Sequence, residues 1–172
     1  IDIKMKDCLG REWQMGTVQV DFQLPLRFNL SYIDSNGEKK TPILVHRAIF
    51  GSFERFIGII TEHFAGAFPV WLSPVQVSIL PISDHQKEYA EKVKAILEEK
   101  GIRVELDARQ EKIGYKIREA QLQKVPYMLI LGEKEVEANA VGVRKRKEGD
   151  IGQMSIEDFV SMISKEIEEK TI

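Results

Sequence analysis

Residues 43 to 64 constrain this chain more than any other stretch, because a strand pattern gives way there to a helix pattern across one Gly-Ser step. Ile43, Leu44, Val45, Ala48, Ile49 and Phe50 make an apolar run rich in β-branched residues, which reads as a buried strand. Phe53, Phe56, Ile57, Ile60 and Phe64 then recur at helical spacing, and Ser52 stands where a helix N-cap belongs. Arg55 falls in the first helical turn, where exposed N–H groups favour negative charge and a guanidinium is out of place. Two readings stay open at this point. A solvated Arg55 paired with Glu54 is the commoner arrangement; the other is a guanidinium that shares a bound polyphosphate with the N–H groups of a glycine-led helix start.

Upstream, Thr17 to Leu24 alternates strictly, with Val18, Val20, Phe22 and Leu24 expected on a core face and Thr17, Gln19, Asp21 and Gln23 on a polar one. Amides and a hydroxyl on such a face meet water, or fix a ligand by neutral hydrogen bonds. Asn36-Gly37 marks a tight hairpin, so residues 1 to 40 are expected to form antiparallel strands. His46 shares a strand face with Leu44 and Ala48, where a lone His is more often a satisfied core residue than a metal ligand. Cys8, His63 and His85 show no ligand spacing with it, so this chain cannot alone supply the three protein ligands of a catalytic zinc. The single cysteine excludes an internal disulfide, and Cys8 is expected to pack as a small hydrophobe.

Pro69 and Pro74 break the chain near residue 72, and beyond them the pattern becomes alternating strand and helix. Val75 to Ile82 reads as a strand, Ser83 and Gln86 as a capping box, and Tyr89, Val93, Ile96 and Leu97 as one helical stripe that stops at Gly101. Ile102, Val104 and Leu106 alternate as the next strand. A second helix is expected to turn Ile113, Ile117 and Ala120 inward and Lys112, Lys116 and Lys124 outward. Tyr127 to Leu131 reads as a central strand covered on both faces, Glu133 to Glu137 as a turn into a strand through Val141 and Val143, and Ser155 onward as a last helix. The order β-α-β-α-β-β-α describes a mixed sheet with helices on its faces. A net charge of −2 gives no polycation, although Arg144-Lys145-Arg146-Lys147 is an uninterrupted basic run. No apolar run approaches the ~20 residues that span a bilayer. With no initiator Met and an abrupt first strand, the chain is expected to be a segment of something longer.

The string Phe50-Gly51-Ser52-Phe53-Glu54-Arg55-Phe56 resembles motif 3 of the class II aminoacyl-tRNA synthetases, the strand-turn-helix whose Arg holds the γ-phosphate of ATP. With His46, Gly10-Arg11-Glu12-Trp13-Gln14 and Gly66-Ala67-Phe68-Pro69-Val70-Trp71-Leu72, the resemblance narrows to the threonyl-tRNA synthetase family and covers essentially the whole chain, as its C-terminal part. Residues 73 to 172, with Glu111-Lys112-Ile113-Gly114 and Lys116-Ile117-Arg118-Glu119-Ala120, are similar to the anticodon-binding domain shared with the prolyl, histidyl and glycyl enzymes. Ser73 stands where Ala is usual and Gln110 where Asn is usual.

This resemblance implies a fold: the end of an antiparallel class II catalytic sheet with its motif 3 helix (1–72), then a mixed-sheet α/β anticodon-binding domain (73–172). It implies that Gln14, Thr17, Gln19, Ser52 and Arg55 contact ATP or threonine, with Arg55 the catalytic group, and that His46 is one of three zinc ligands. Gln110, Lys124, Lys134, Glu135 and Arg144 match anticodon-contacting positions. The implied parent is a cytoplasmic homodimer, a threonine–tRNA ligase taking ATP with Mg, threonine and threonine tRNA. This segment alone is expected to be inactive, since motifs 1 and 2 are missing from it. The alternatives are a non-catalytic synthetase-like RNA-binding accessory module, and a prolyl or histidyl enzyme, against which His46 and the Gly-Arg-Glu-Trp-Gln string argue.

Overall fold

Asp2–Lys6 (β1), Glu12–Asp21 (β2) and Leu44–Ala48 (β5) pair antiparallel in the order β1-β2-β5, and Phe53–His63 (α2) follows. The computed structural model describes residues 1 to 172 as two compact units, Ile1–Ala65 and Gly66–Ile172. In the first unit Ser52 caps α2 by accepting from the Arg55 N–H at 3.3 Å, as its position predicts. Gly51 sits at φ +67°, and a Cβ there would lie 3.0 Å from the Met15 carbonyl, so both the turn and the close approach require glycine. Tyr32–Ile33 (β3) and Lys39–Lys40 (β4) form the expected hairpin, with Asp34 accepting from the N–H groups of Asn36 and Glu38.

Four expectations fail in this unit. β5 is an edge strand with Val45 62% exposed, and Ile49 just beyond it is 57% exposed, because no second layer of this unit covers them. The alternation through Leu24 breaks at Asp21, whose carboxylate accepts from the N–H groups of Gln23 and Leu24 and starts a short helix, Gln23–Arg27 (α1); Val20 and Phe22 stay exposed. The stripe on α2 is half open, with Phe53 and Ile57 exposed and Phe56 and Ile60 half-buried, and the residue the helix does bury, Ile59, lies outside that stripe. Cys8 is exposed, not packed, and its thiol donates to Glu62 at 2.6 Å, a hydrogen bond that pushes its pKa up.

The second unit is a five-stranded sheet of Val77–Pro81 (β6), Val104–Leu106 (β7), Tyr127–Leu131 (β8), Ala140–Lys145 (β9) and Gly149–Ser155 (β10), ordered β10-β9-β8-β6-β7. β6 runs parallel to β7 and β8; β9 and β10 run antiparallel. Lys87–Glu99 (α3), Ile113–Leu122 (α4), Glu133–Glu137 (α5) and Ile156–Glu168 (α6) complete it. β8 is central and almost wholly buried, as its continuous apolar run predicts. One sheet face packs Val77, Ile79, Tyr127, Leu129, Val141 and Val143 against α3 and α6 through Val93, Leu97, Phe159 and Ile163. Each such buried side chain contributes about 1.5–3 kcal/mol. On the other face α4 covers Leu80 and Met128 through Ala120.

Here too three details differ. Residues 133 to 137 are a helix, α5, started by the Glu135 carboxylate accepting from the Gly132 N–H. β10 went unread because it has no fully buried residue and is interrupted by two glycines. Lys116 points inward: it is only 3% exposed, and its ammonium donates to the carbonyls of Pro81 (3.0 Å) and Asp107 (3.1 Å). No helix is long and apolar enough to cross a membrane.

Candidate functional site

β2 carries a β-bulge: Ile3 pairs with Gly16 and Lys4 with Gln14, so Met15 is the extra residue. The bulge turns Gln14 and Thr17, three apart, to one side of the strand. Both then reach the same acceptor, Asp2 Oδ1, through Gln14 Nε2 and Thr17 Oγ1 at 2.8 Å each. Gln19 continues that face and lies directly across from His46 on β5. His46 Nε2 is 3.0 Å from Asp21 Oδ2. Four polar residues singled out in the sequence, Gln14, Thr17, Gln19 and His46, therefore line one open sheet face. Since Asp2 consumes donors of Gln14 and Thr17, what these two offer outward is mainly acceptor oxygen.

Arg55 does not pair with Glu54. Its guanidinium donates to the Gln14 carbonyl at 3.1 Å and lies 5.5 Å from the Trp13 ring centroid. Trp13 is itself fixed by Asp7, which accepts from Trp13 Nε1 (2.9 Å), Arg11 Nε (2.6 Å) and the N–H groups of Leu9 and Arg11. These contacts give the Gly-Arg-Glu-Trp-Gln string a physical role: a carboxylate orients an indole, and the indole face orients Arg55.

The donors around Asp7, Trp13 foremost, hold its pKa down at about 2. Its folded pKa lies below the ordinary 3.8, so its stabilisation is full above that value and is lost as pH falls through about 2. Tryptophan fluorescence is expected to change near pH 2 in the native chain and to lack that change in Asp7→Asn; a native transition centred on pH 4 would contradict the arrangement.

In the second unit Gln110 follows β7, and its Nε2 donates to Asp84 Oδ2 at 2.7 Å in the segment after β6. Lys134 and Glu135 sit on α5, after β8. All three thus leave the C-terminal ends of parallel strands, where open α/β sheets bind ligands. Glu135 Oε2 is held by the Gly132 N–H at 2.9 Å, while Oε1 faces Gly142 on β9. Arg144 is two residues from Gly142 on the same face and pairs across to Met128; its Nε is buried without a hydrogen-bond partner. Lys124 stands apart, beyond the C-terminus of α4 and at the opposite end of β8, beside Gly66. The basic run is also divided: Arg146 donates to the carbonyls of Ala67, Phe68 and Lys124 and so holds the segment entering this unit, and Lys145 pairs with Glu148 and Glu166.

Residues 76–166 match the family model described as the anticodon binding domain, more than half of the chain. The chain belongs to the anticodon binding domain family. Residues 1–64 match the tRNA synthetase class II core domain (G, H, P, S and T), so a class II core segment precedes the anticodon binding domain. A threonine–tRNA ligase of Clostridium novyi (strain NT) is 63% identical over 171 residues, 99% of this chain and 27% of that protein. One from Clostridium tetani (strain Massachusetts / E88) is 62% identical over 172 residues, 100% of this chain and 27% of that protein. The RNA binding domain of threonyl-tRNA synthetase from Cryptosporidium parvum Iowa II superposes with a TM-score of 0.85 at 40% identity, over 95% of this chain and 42% of that one. The chain thus spans about a quarter of the length of the curated relatives it matches.

In the anticodon binding domain the sequence pointed to Gln110, Glu135 and Arg144 but not to Asp84, which anchors Gln110, or to Gly142, which Glu135 overhangs. In the core segment it overlooked Asp2, Asp7 and Trp13. Asp7-Cys8-Leu9-Gly10 is an Asx-turn pattern, a signal that could have placed Asp7 as a loop organiser.

Proposed function

We propose that this chain is the part of a threonine–tRNA ligase that completes the ATP and threonine site and reads the anticodon. The parent activates threonine with ATP and Mg and transfers it to threonine tRNA in the cytoplasm, as a homodimer. Residues 1–72 serve the first task and residues 73–172 the second. The observation that carries the reading is the convergence of Gln14, Thr17, Gln19 and His46 on one sheet face, with Arg55 drawn back onto the Gln14 carbonyl.

In this reading Gln14, Thr17 and Gln19 orient threonine and the nucleotide by hydrogen bonds. Ser52 holds the start of α2, and Arg55, with most of its five N–H donors unspent, takes the phosphate charge that grows as pyrophosphate departs. His46 suits a zinc ligand in one respect: a carboxylate on one ring nitrogen fixes the ring for the other, the arrangement common around metal-bound histidines. No three His, Cys, Asp or Glu side chains of this chain gather as a metal site, so the other ligands come from elsewhere in the parent. A zinc there supplies a Lewis acid able to hold an amine or hydroxyl.

Gln110, Lys134, Glu135 and Arg144 face the anticodon loop, with Lys124 reaching it farther along. The test is titration of this chain with a stem-loop bearing a threonine anticodon, against one whose middle G is changed to A. The change is expected to weaken binding by about 1–3 kcal/mol, while added salt weakens both loops alike. Equal affinity for the two loops overturns the assignment.

A further inference from the structure

β10 carries a bulge of its own. Asp150 pairs with Arg144 and Gly152 with Val143, so Ile151 is the extra residue. As at Met15, the bulge brings two polar residues three apart, here Asp150 and Gln153, onto one face, while Ile151 and Met154 turn to the other and pack on the core. Gln153 lies directly across from Gly142, which lies across from Ile130. Directly opposed residues of antiparallel strands project to the same side. The exposed Gln153 therefore shares the face that holds Arg144 and is overhung by Glu135.

Gly142 leaves a gap in the middle of this face. A Cβ there would sit 3.1 Å from the Ile130 carbonyl and 3.7 Å from Glu135 Oε1, so glycine keeps the floor at backbone level. Glu135 is tied to the Gly132 N–H on one oxygen and presents the other over that floor. Arg144, with its unpartnered Nε, and Gln153 stand around the same gap.

We propose that Gln153 is a base-contacting residue, forming with Glu135 and Arg144 the sides of a slot that takes one unstacked RNA base lying over Gly142. The inference rests on the reading of this unit as an anticodon binder and adds to it the floor and a further wall. The chemistry selects guanine. Its N1–H and N2–H give two adjacent donors to the Glu135 carboxylate, and its O6 accepts from the Gln153 amide or the Arg144 guanidinium. Adenine lacks the N1–H and meets the carboxylate with a ring-nitrogen lone pair.

The test uses this chain, its Gln153→Ala variant and the two stem-loops that differ at the middle G. Gln153→Ala is expected to weaken the G loop about tenfold and the A loop little, with the salt dependence and the melting temperature unchanged, since an exposed base-edge contact carries neither phosphate binding nor stability. Gly142→Ala, which raises the floor, is expected to weaken the G loop at least as much. Because its new Cβ crowds the Ile130 carbonyl, Gln153→Ala carries the decision. If the native chain discriminates between the loops and Gln153→Ala discriminates equally well, or loses both loops equally, the inference falls alone. If the native chain does not discriminate, it falls together with the anticodon reading.

Discussion

Replacing Arg55 by alanine in the threonine–tRNA ligase proposed as the parent of this segment is expected to slow threonine-dependent pyrophosphate exchange by roughly 100- to 1,000-fold, the range seen when one preorganised donor is removed from a developing charge. The expectation follows from where the guanidinium sits. At the first turn of α2 it is electrostatically misplaced for stability, and yet Trp13 and the Gln14 carbonyl hold it at 5.5 and 3.1 Å. A group held against the local dipole by two neighbours is positioned for an anion. Arg55→Lys keeps the charge but loses the planar fork, so it should recover only a small part of the rate. The melting temperature should shift little, because Arg55 is exposed and only a carbonyl and a ring face lose a neighbour. A rate within threefold of the native enzyme for Arg55→Ala would remove Arg55 from the phosphate site. Asp7→Asn, which loosens Trp13, offers a graded version of the same effect.

What could be read from the sequence divides along a physical line. The second unit closes its own core, so periodicity and burial agreed there: Tyr127–Leu131 as a central strand, the Ser83-Gln86 capping box and the last helix from Ser155 onward were all legible. In the first unit the same rules misjudged burial at Val20, Phe22, Val45 and Phe53, because periodicity reports which face is apolar and not whether another layer covers it. The two β-bulges were hidden for a different reason. Alternation puts Gln14 opposite Thr17, and Asp150 opposite Gln153; only an extra residue, at Met15 and at Ile151, brings each pair to one side. Composition does not announce a bulge. The candidate site was legible by resemblance at Thr17, Gln19, His46 and Arg55, while the residues that orient it, Asp2, Asp7 and Trp13, act through hydrogen bonds between strand partners that only register reveals.

Lys116 yields the second large effect. Counting helical positions placed it outward with Lys112, but a four-carbon stem lets the ammonium reach inward and meet two carbonyls at the C-terminal ends of β6 and β7. The segments beyond those carbonyls carry Asp84 and Gln110, which bond to each other at 2.7 Å. Lys116→Met keeps the stem and its packing but removes both charge-assisted hydrogen bonds, leaving the Pro81 and Asp107 carbonyls short of a donor. Each such bond is worth about 1.5–3 kcal/mol, and relief from burying a charge offsets part of the loss, so a net destabilisation of about 2–3 kcal/mol is expected. Chemical denaturation of the Gly66–Ile172 unit, followed by circular dichroism, measures it. Because the same ammonium sets the spacing of the two segments, the stem-loop should also bind more weakly to Lys116→Met under conditions where the variant is fully folded. Gln110→Ala should lower that affinity without lowering stability to the same degree. A Lys116→Met chain as stable as the native one would mean that water satisfies the two carbonyls and that the segment spacing is set by the strands alone.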